Sequence, residues 1–390
     1  MPVIVTYPYT QYTGIWKLNA ASAAQGAGTW AIPPQPHLYS WGNGANGRLG
    51  LGNTTSYSSP KQVGSLTTWS MVSTSGGSLF SVALKTDGTL WTWGQGAQGQ
   101  LGQGNTTSYS SPKQVGALTN WLQASAGYAW IAAIKTDGTL WTWGKNTLGQ
   151  LGLNNTTYYS SPKQVGTLTN WSSVSCGYYI SGAIKTNGTL WTWGYNGYGT
   201  LGYGNTNYYS SPKQVGALTT WLSVSAGYLS MYAIKTDGTL WSWGRNNKGQ
   251  LGNSNTSYYS SPIQVGALTN WVLVGPAAAT SSSVLAIKTN GTLWGWGGNG
   301  LGALGLGNST NYSSPKQVGT LTNWLSVASG YYHTVAIKTD GTAWSWGYNS
   351  FGQLGFGNVT NYSSPKQIGS LTTWLKIVGG QNSTLAIAKT

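Results

Sequence analysis

Short apolar runs alternate with polar, Gly-rich punctuation along this chain. The clearest instance is Lys135–Gly144, which reads Lys-Thr-Asp-Gly-Thr-Leu-Trp-Thr-Trp-Gly. Asp-Gly between two apolar runs predicts a tight β-hairpin, because Gly, and tolerably Asp, accepts the positive φ that such a turn needs. Leu140, Trp141, Thr142 and Trp143 fit a pleated surface, so the return arm is a strand. The same stretch begins again at Lys85, Lys185, Lys235, Lys288 and Lys338, with Asn for Asp at Asn187 and Asn290. A chain written this way is a repeat protein.

The repeats count cleanly from Leu38 onward. Trp-Gly recurs at Trp41, Trp93, Trp143, Trp193, Trp243, Trp296 and Trp346, giving seven repeats with a period of 50 to 53 residues. Ser-Pro recurs from Pro60 to Pro365, and a third Trp opens another strand from Trp69 to Trp374. Each repeat holds four short extended segments, as in Trp121–Ala126, Ile131–Thr136, Thr139–Gly144 and Ser160–Val165. Four-stranded units at this period predict an all-β fold, a seven-bladed β-propeller. The C-terminal Trp374–Thr390 supplies the first two strands of a blade, and Leu38–Trp41 with Ser58–Val63 supply the last two. One blade would thus be stitched from both ends, closing the ring, with Pro on the outer edge strand where it is tolerated. Residues 1–36 stand apart as an N-terminal arm and 37–390 form the propeller; within the arm, Lys17–Gln25 reads as a short Ala-rich helix ended by Gly26.

Composition narrows the chemistry. Charged residues are 6% of the 390, far below the roughly 25% of average domains, and there is no Glu. The only acids, Asp87, Asp137, Asp237 and Asp340, occupy the same turn of successive repeats. Carboxylate pairs, acid-rich metal sites and catalytic triads need acids placed together, so the inventory argues against an enzyme. His37 and His333 lie in different contexts without acid or Cys partners, so neither a metal nor a cofactor is expected. Cys176 stands where Ala126 and Ala226 stand in neighbouring repeats and reads as a small buried residue. Gly94–Gly99 matches G-x-G-x-x-G but opens no helix, which argues against a dinucleotide site. The net charge is +15, yet twelve of the nineteen basic residues are spread round the repeats, Lys61 to Lys366 on edge strands and Lys85 to Lys338 before the turns. They are expected as solvated lysines that discourage edge pairing, which weighs against nucleic acid. The chain shows no signal-peptide pattern and no apolar run of the roughly 18 residues that span a membrane, so synthesis in the cytoplasm is expected.

Trp-Gly-x-Asn-x-x-Gly-x-Leu-Gly at Trp143–Gly152, with Gly330-Tyr-Tyr-His-Thr334 and Thr339-Asp-Gly341, resembles the repeat of the regulator of chromosome condensation family. The resemblance covers about 350 of the 390 residues and implies a seven-bladed propeller. Guanine-nucleotide exchange in the founding members uses acidic and hydrogen-bonding residues on one face plus an inserted wedge, and neither is visible here. The Arg–Asp pairs and Gly-Trp-Arg-His-Thr motif of the related plant ultraviolet-B photoreceptor are also missing. A secreted bacterial β-lactamase inhibitor of the family, which presents loop aromatics, is similar in style. Only His333 keeps the family's His in its loop.

The internal copies locate the variable positions. All length variation lies between the opening Trp and the Asp-Gly hairpin, and sequence drift concentrates there and just after Trp-Gly. Strand parity puts both segments on one face of the disc and the monotonous hairpins on the other. The candidate binding residues are therefore Tyr128, Trp130, Tyr178, Tyr179, Tyr228, Leu229, Tyr331, Tyr332 and His333 from the first-to-second loops. Lys145, Tyr195, Tyr198, Arg245, Lys248, Tyr348 and Phe351 join them from the third-to-fourth loops. Tyr and Trp give large contact area at low entropic cost; alternatively Tyr128, Tyr178, Tyr228 and Tyr331 plug the channel and pack on one another. Two roles follow. In one, Tyr12, Ile15, Trp16 and Trp30 anchor the arm to a larger assembly such as a phage virion, because Tyr12–Trp16 with Gly28–Trp30 resembles leaders of tailed-phage structural proteins. Its partners would be particle subunits or a host-surface glycan, with oligomers formed through the arm. In the other, the chain is a soluble protein-binding or inhibitor propeller.

Overall fold

In a computed structural model, residues 34–75, 77–275 and 282–390 are described. They form twenty-eight strands in seven antiparallel four-stranded sheets. Blade 1 comprises Trp69–Ser73, Phe80–Lys85, Leu90–Gly94 and Tyr109–Gln114. Blade 2 comprises Trp121–Ala126, Trp130–Lys135, Leu140–Gly144 and Tyr159–Gln164, and blades 3 to 6 open in the same way at Trp171, Trp221, Trp271 and Trp324. Blade 7 joins Trp374–Gly379 and Ser383–Lys389 to Pro36–Gly42 and Tyr57–Gln62, so the two ends of the ring pair in one sheet. The expected closure is therefore present, and its strand begins two residues before the anticipated Leu38: Pro36 already pairs with Lys389. The arm's helix and its candidate anchors Tyr12, Ile15, Trp16 and Trp30 lie outside the described residues.

The core is seven layers between blades, not one central mass. In the layer joining blades 1 and 2, Phe80, Val82 and Leu84 of one second strand pack on Trp121, Ala124, Ile131 and Trp143 of the next blade. Burial of these aliphatic and indole surfaces supplies the main drive for ring assembly. The Trp of Trp-Gly adds a directional tie: its indole N–H donates to a carbonyl of the preceding blade, Trp143 to Gln100 at 3.0 Å and Trp193 to Gln150 at 2.8 Å. Trp41 closes the circle by donating to Gln353 at 2.9 Å. Near the axis, Ser125 and Ser175 accept hydrogen bonds from the backbone N–H groups of Cys176 and Ala226 in the next blade, tying the innermost strands together. Cys176 is buried, and burial pushes its thiol pKa up.

Every hairpin turn is built alike. Asp137 Oδ1 accepts from Thr139 N at 2.9 Å and Thr139 Oγ1 at 2.6 Å, while Trp141 Nε1 donates to Thr139 Oγ1 at 2.8 Å. Asn187 replaces Asp with the same two bonds to Thr189. Gly138 needs its φ of +76°, and a Cβ there would meet Thr169 O at 2.1 Å. All four carboxylates are held this way, and the Thr hydrogen bonds lower their pKa values.

One expectation fails. Of the six lysines before the turns, Lys85 and Lys235 are half-buried and the other four are not solvated. Lys135, Lys185, Lys288 and Lys338 are buried, with Nζ 3.5–3.8 Å above the rings of Trp141, Trp191, Trp294 and Trp344. Their stems cover indole surface, and the ring quadrupole faces the ammonium. Desolvation lowers these lysine pKa values. The other set, Lys61 to Lys366 on the outermost strands, is exposed as expected.

Candidate functional site

The two drifting segments meet at one end of the disc. In blade 2 the residue after Trp-Gly bonds back to the first loop, Lys145 N to Ala129 O at 2.9 Å. Tyr195 N to Tyr179 O, Arg245 N to Leu229 O and Tyr348 N to Tyr332 O repeat the tie at 2.8–3.0 Å. The Asp-Gly turns occupy the opposite end. These are the loop end and the hairpin end.

On the loop end, tyrosines of adjacent blades form one band. Ring centroids of Tyr128 and Tyr178 are 4.4 Å apart, those of Tyr178 and Tyr228 4.7 Å, and Tyr179 lies 4.4 Å from Tyr178. Cations cover both ends of the row. Lys145 Nζ stands 5.5 Å from the Tyr128 ring and 5.2 Å from Tyr179, and the Arg245 guanidinium 5.5 Å from Tyr228 and 5.6 Å from Tyr198. From Tyr198 the band continues to Tyr195 at 6.0 Å. Burial, and then its tyrosine neighbours, raises the pKa of Tyr178; burial followed by Tyr208 pushes Tyr195 up to about 12. The hydroxyls are therefore neutral donors at physiological pH. The packing anticipated for channel-plugging tyrosines is thus present for Tyr128, Tyr178 and Tyr228, each of which stays half-buried.

The remaining candidates divide. Tyr331, Tyr332 and Tyr348 form a second cluster in blade 6, with centroids 4.4 and 6.4 Å apart. Lys248 and Phe351 stand exposed on their third-to-fourth loops. Trp130, Leu229 and His333 are not on the surface. Trp130 and His333 begin second strands, pairing with Gly144 and Gly347, and both are fully buried. Each fills the space left by a glycine: a Cβ on Gly127 would come within 2.3 Å of Trp130 Nε1, and one on Gly330 within 2.0 Å of His333 Cε1. His333 Nε2 pairs with Thr384 Oγ1 at 3.0 Å, and burial lowers its pKa to about 3, so the ring is neutral. These three residues support the loop from beneath.

Three residues on this end were passed over. Tyr158, Tyr208 and Tyr258 are 41–49% exposed, and Tyr208 and Tyr258 extend the band through Tyr195 at 4.9 Å and Tyr198 at 5.3 Å. The signal was in the repeats: the same position is Ser56, Ser108, Asn311 or Asn361 elsewhere, where the small polar side chain accepts a hydrogen bond from the loop backbone. Among the described residues, no group of three His, Cys, Asp or Glu side chains gathers to hold a metal ion, and no helix is long and apolar enough to cross a membrane.

A closed ring of four-stranded blades with its variable residues gathered at one end defines a β-propeller presenting a loop surface. The model for the RCC1-like domain matches residues 14–325, and regulator of chromosome condensation (RCC1) repeats match 340–387 and 324–353. The chain belongs to the RCC1 repeat family. Among curated relatives, the human E3 ubiquitin-protein ligase HERC2 is 32% identical over 105 residues, 27% of this chain and 2% of that protein. A bifunctional serine/threonine-protein kinase/NEDD4-like E3 ubiquitin-protein ligase of Dictyostelium discoideum is 41% identical over 90 residues, 22% of this chain and 5% of that protein. The chain thus corresponds to a small part of these relatives. Among solved structures, yeast RCC1 (Prp20), determined with Kap60 bound, superposes with a TM-score of 0.81 at 19% identity, covering 92% of this chain and 90% of that one. Human WBSCR16 gives 0.79 at 20% identity, with 91% and 99% covered. Identities this low speak for the fold alone.

Proposed function

We propose that this chain is a protein-binding propeller that takes its partner on the loop end, across blades 2 to 4. One observation carries the reading. The row Tyr128, Tyr178 and Tyr228 spans three blades under Lys145 and Arg245, whereas all four acids of the chain sit in the hairpins at the other end. Tyrosine combines apolar area, hydroxyl donors and few rotatable bonds, the combination enriched at interface hot spots. Uncompensated cations among such rings suit a partner surface that offers carboxylates beside apolar groups. The similar yeast protein Prp20p has been studied for its binding to Gsp1p and histones, which supports partner binding as the class of activity without naming a partner here.

Binding, not catalysis, is the role we assign. The ligase and kinase activities of the curated relatives belong to proteins of which this chain matches at most a tenth. The narrower role of a particle component, virion or otherwise, rests on the arm, residues 1–36, of which 1–33 are not among those described, and the binding role does not depend on it. The test is quantitative capture from extract by the wild-type chain and by a Tyr128→Ala/Tyr178→Ala/Tyr228→Ala variant, with proteins identified by mass spectrometry. A partner held by the wild type and lost by a variant of unchanged melting temperature supports the reading. Equal capture by both contradicts it.

A further inference from the structure

The hairpin end, uniform in sequence, is the more apolar surface. Eleven of the sixteen large apolar side chains that stand exposed among the described residues lie there. Six belong to the segments joining one blade to the next: Leu66, Leu118, Leu168, Leu218, Leu268 and Leu321, each 40–47% exposed. The other five follow the opening Trp of the innermost strand: Leu122, Leu222, Val272, Leu325 and Leu375, 40–59% exposed. Both sets are tied to the hairpins, since Trp171 N donates to Gly138 O at 3.1 Å and Thr136 N to Asn120 O at 2.9 Å.

The inner set is exposed for a geometric reason. Trp121 pairs with Lys135 and Gln123 with Ile134, so Leu122 is an extra residue without a partner across the ladder. The same shift recurs at Leu222, Val272, Leu325 and Leu375. A bulge re-aims its side chain, here out of the layers between blades. Single exposed leucines are ordinary, but two rings of them at one end of a molecule mark an interaction surface.

Charge selects the occupant. Five of the six outer-ring leucines follow five residues after an exposed lysine of the outermost strand, Lys61, Lys113, Lys163, Lys213 and Lys316, while Leu268 follows Ile263. The aspartates at this end already accept hydrogen bonds from their own turns. The six exposed lysines of the outermost strands outnumber the four aspartates of the turns, so a second copy docked end to end would bring net like charge together, which is unfavourable. We propose that the hairpin end docks an acidic protein segment carrying leucine-sized apolar side chains, the carboxylates meeting the lysines and the apolar groups lying on the leucine rings.

The experiment uses the full chain and a fluorescein-labelled amphipathic helical peptide of Leu and Glu, followed by anisotropy. We expect saturable binding that weakens with added salt. We expect at least about a tenfold loss of affinity in Leu122→Ser/Leu222→Ser/Leu325→Ser, whose exposed positions leave the melting temperature unchanged. The loop-end variant Tyr128→Ala/Tyr178→Ala/Tyr228→Ala should bind the peptide as the wild type does. Absence of binding, equal affinity for a Leu and Lys peptide, or undiminished affinity of the serine variant would overturn the proposal. So would a wild-type dimer in light scattering that dissociates in the serine variant, because the face would then belong to a second copy.

Discussion

At the hairpin end, blade after blade repeats one hydrogen-bond pattern: Asp or Asn accepts from Thr, Thr accepts from Trp, and a lysine stem lies over the indole. At the loop end, neighbouring blades differ in the first-to-second loops, just after Trp-Gly and just before the outer strand, as Tyr208, Ser108 and Asn361 show at a single site. A seven-fold repeated closure keeps the turns uniform, because each hairpin must also fit the next blade: Trp171 N bonds to Gly138 O. The loop end carries its ring-holding bond one layer down, through the Trp-Gly indole, and so leaves its outermost residues free to diverge. Divergence above a fixed layer is how a propeller gains a specific surface without altering its frame.

Breaking the shared layer should have the largest effect. Trp143→Ala removes a fully buried indole and its bond to Gln100, and should cost about 3–5 kcal/mol of stability by denaturant unfolding, affecting both ends alike. Next, the triple tyrosine variant should weaken partner binding by about 2 kcal/mol or more while the hairpin-end peptide still binds, which separates the two surfaces.

A smaller effect tests the layer under the loops. The His333 pKa is about 3 when folded, against about 6.5 unfolded, so the unfolded chain binds the extra proton between these values. Stability from this group is complete above pH 6.5 and falls on acidification, by about 1.4 kcal/mol per pH unit inside the window. The aspartates, with lowered pKa values, act at more acidic pH, so His333→Leu should flatten the melting temperature between pH 6.5 and 4.5. The smallest effect is at the hairpins. Asp137→Ala should cost about 1 kcal/mol through the lost bonds to Thr139, whereas Asp137→Asn should be nearly neutral, since Asn187 and Asn290 hold the same bonds.

The ring, its seven blades and its shared closing sheet were legible because Asp-Gly, Trp-Gly and Ser-Pro are local signals repeated at constant spacing. The grouping of loop residues at one end followed from strand parity, which needs only the strand count. What escaped was side-chain direction. Trp130 and His333 look like loop residues until their pairing with Gly144 and Gly347 turns them inward. Lys135 looks solvated until Trp141 is seen beneath it. Each depends on register across strands or blades, which one-dimensional spacing does not carry. Tyr158, Tyr208 and Tyr258 were readable as drift, but they sit beside the otherwise constant Tyr-Ser-Ser-Pro of the outer strand.

The central claim is that partner recognition belongs to one sector of the loop end. Hydrogen-exchange protection of the chain with and without its captured partner tests it most directly. The account predicts protection in the first-to-second and third-to-fourth loops of blades 2 to 4, around Tyr128, Tyr178, Tyr195 and Tyr228, with the hairpin turns unchanged. Protection spread evenly over all seven blades, or confined to the hairpin turns, would contradict it.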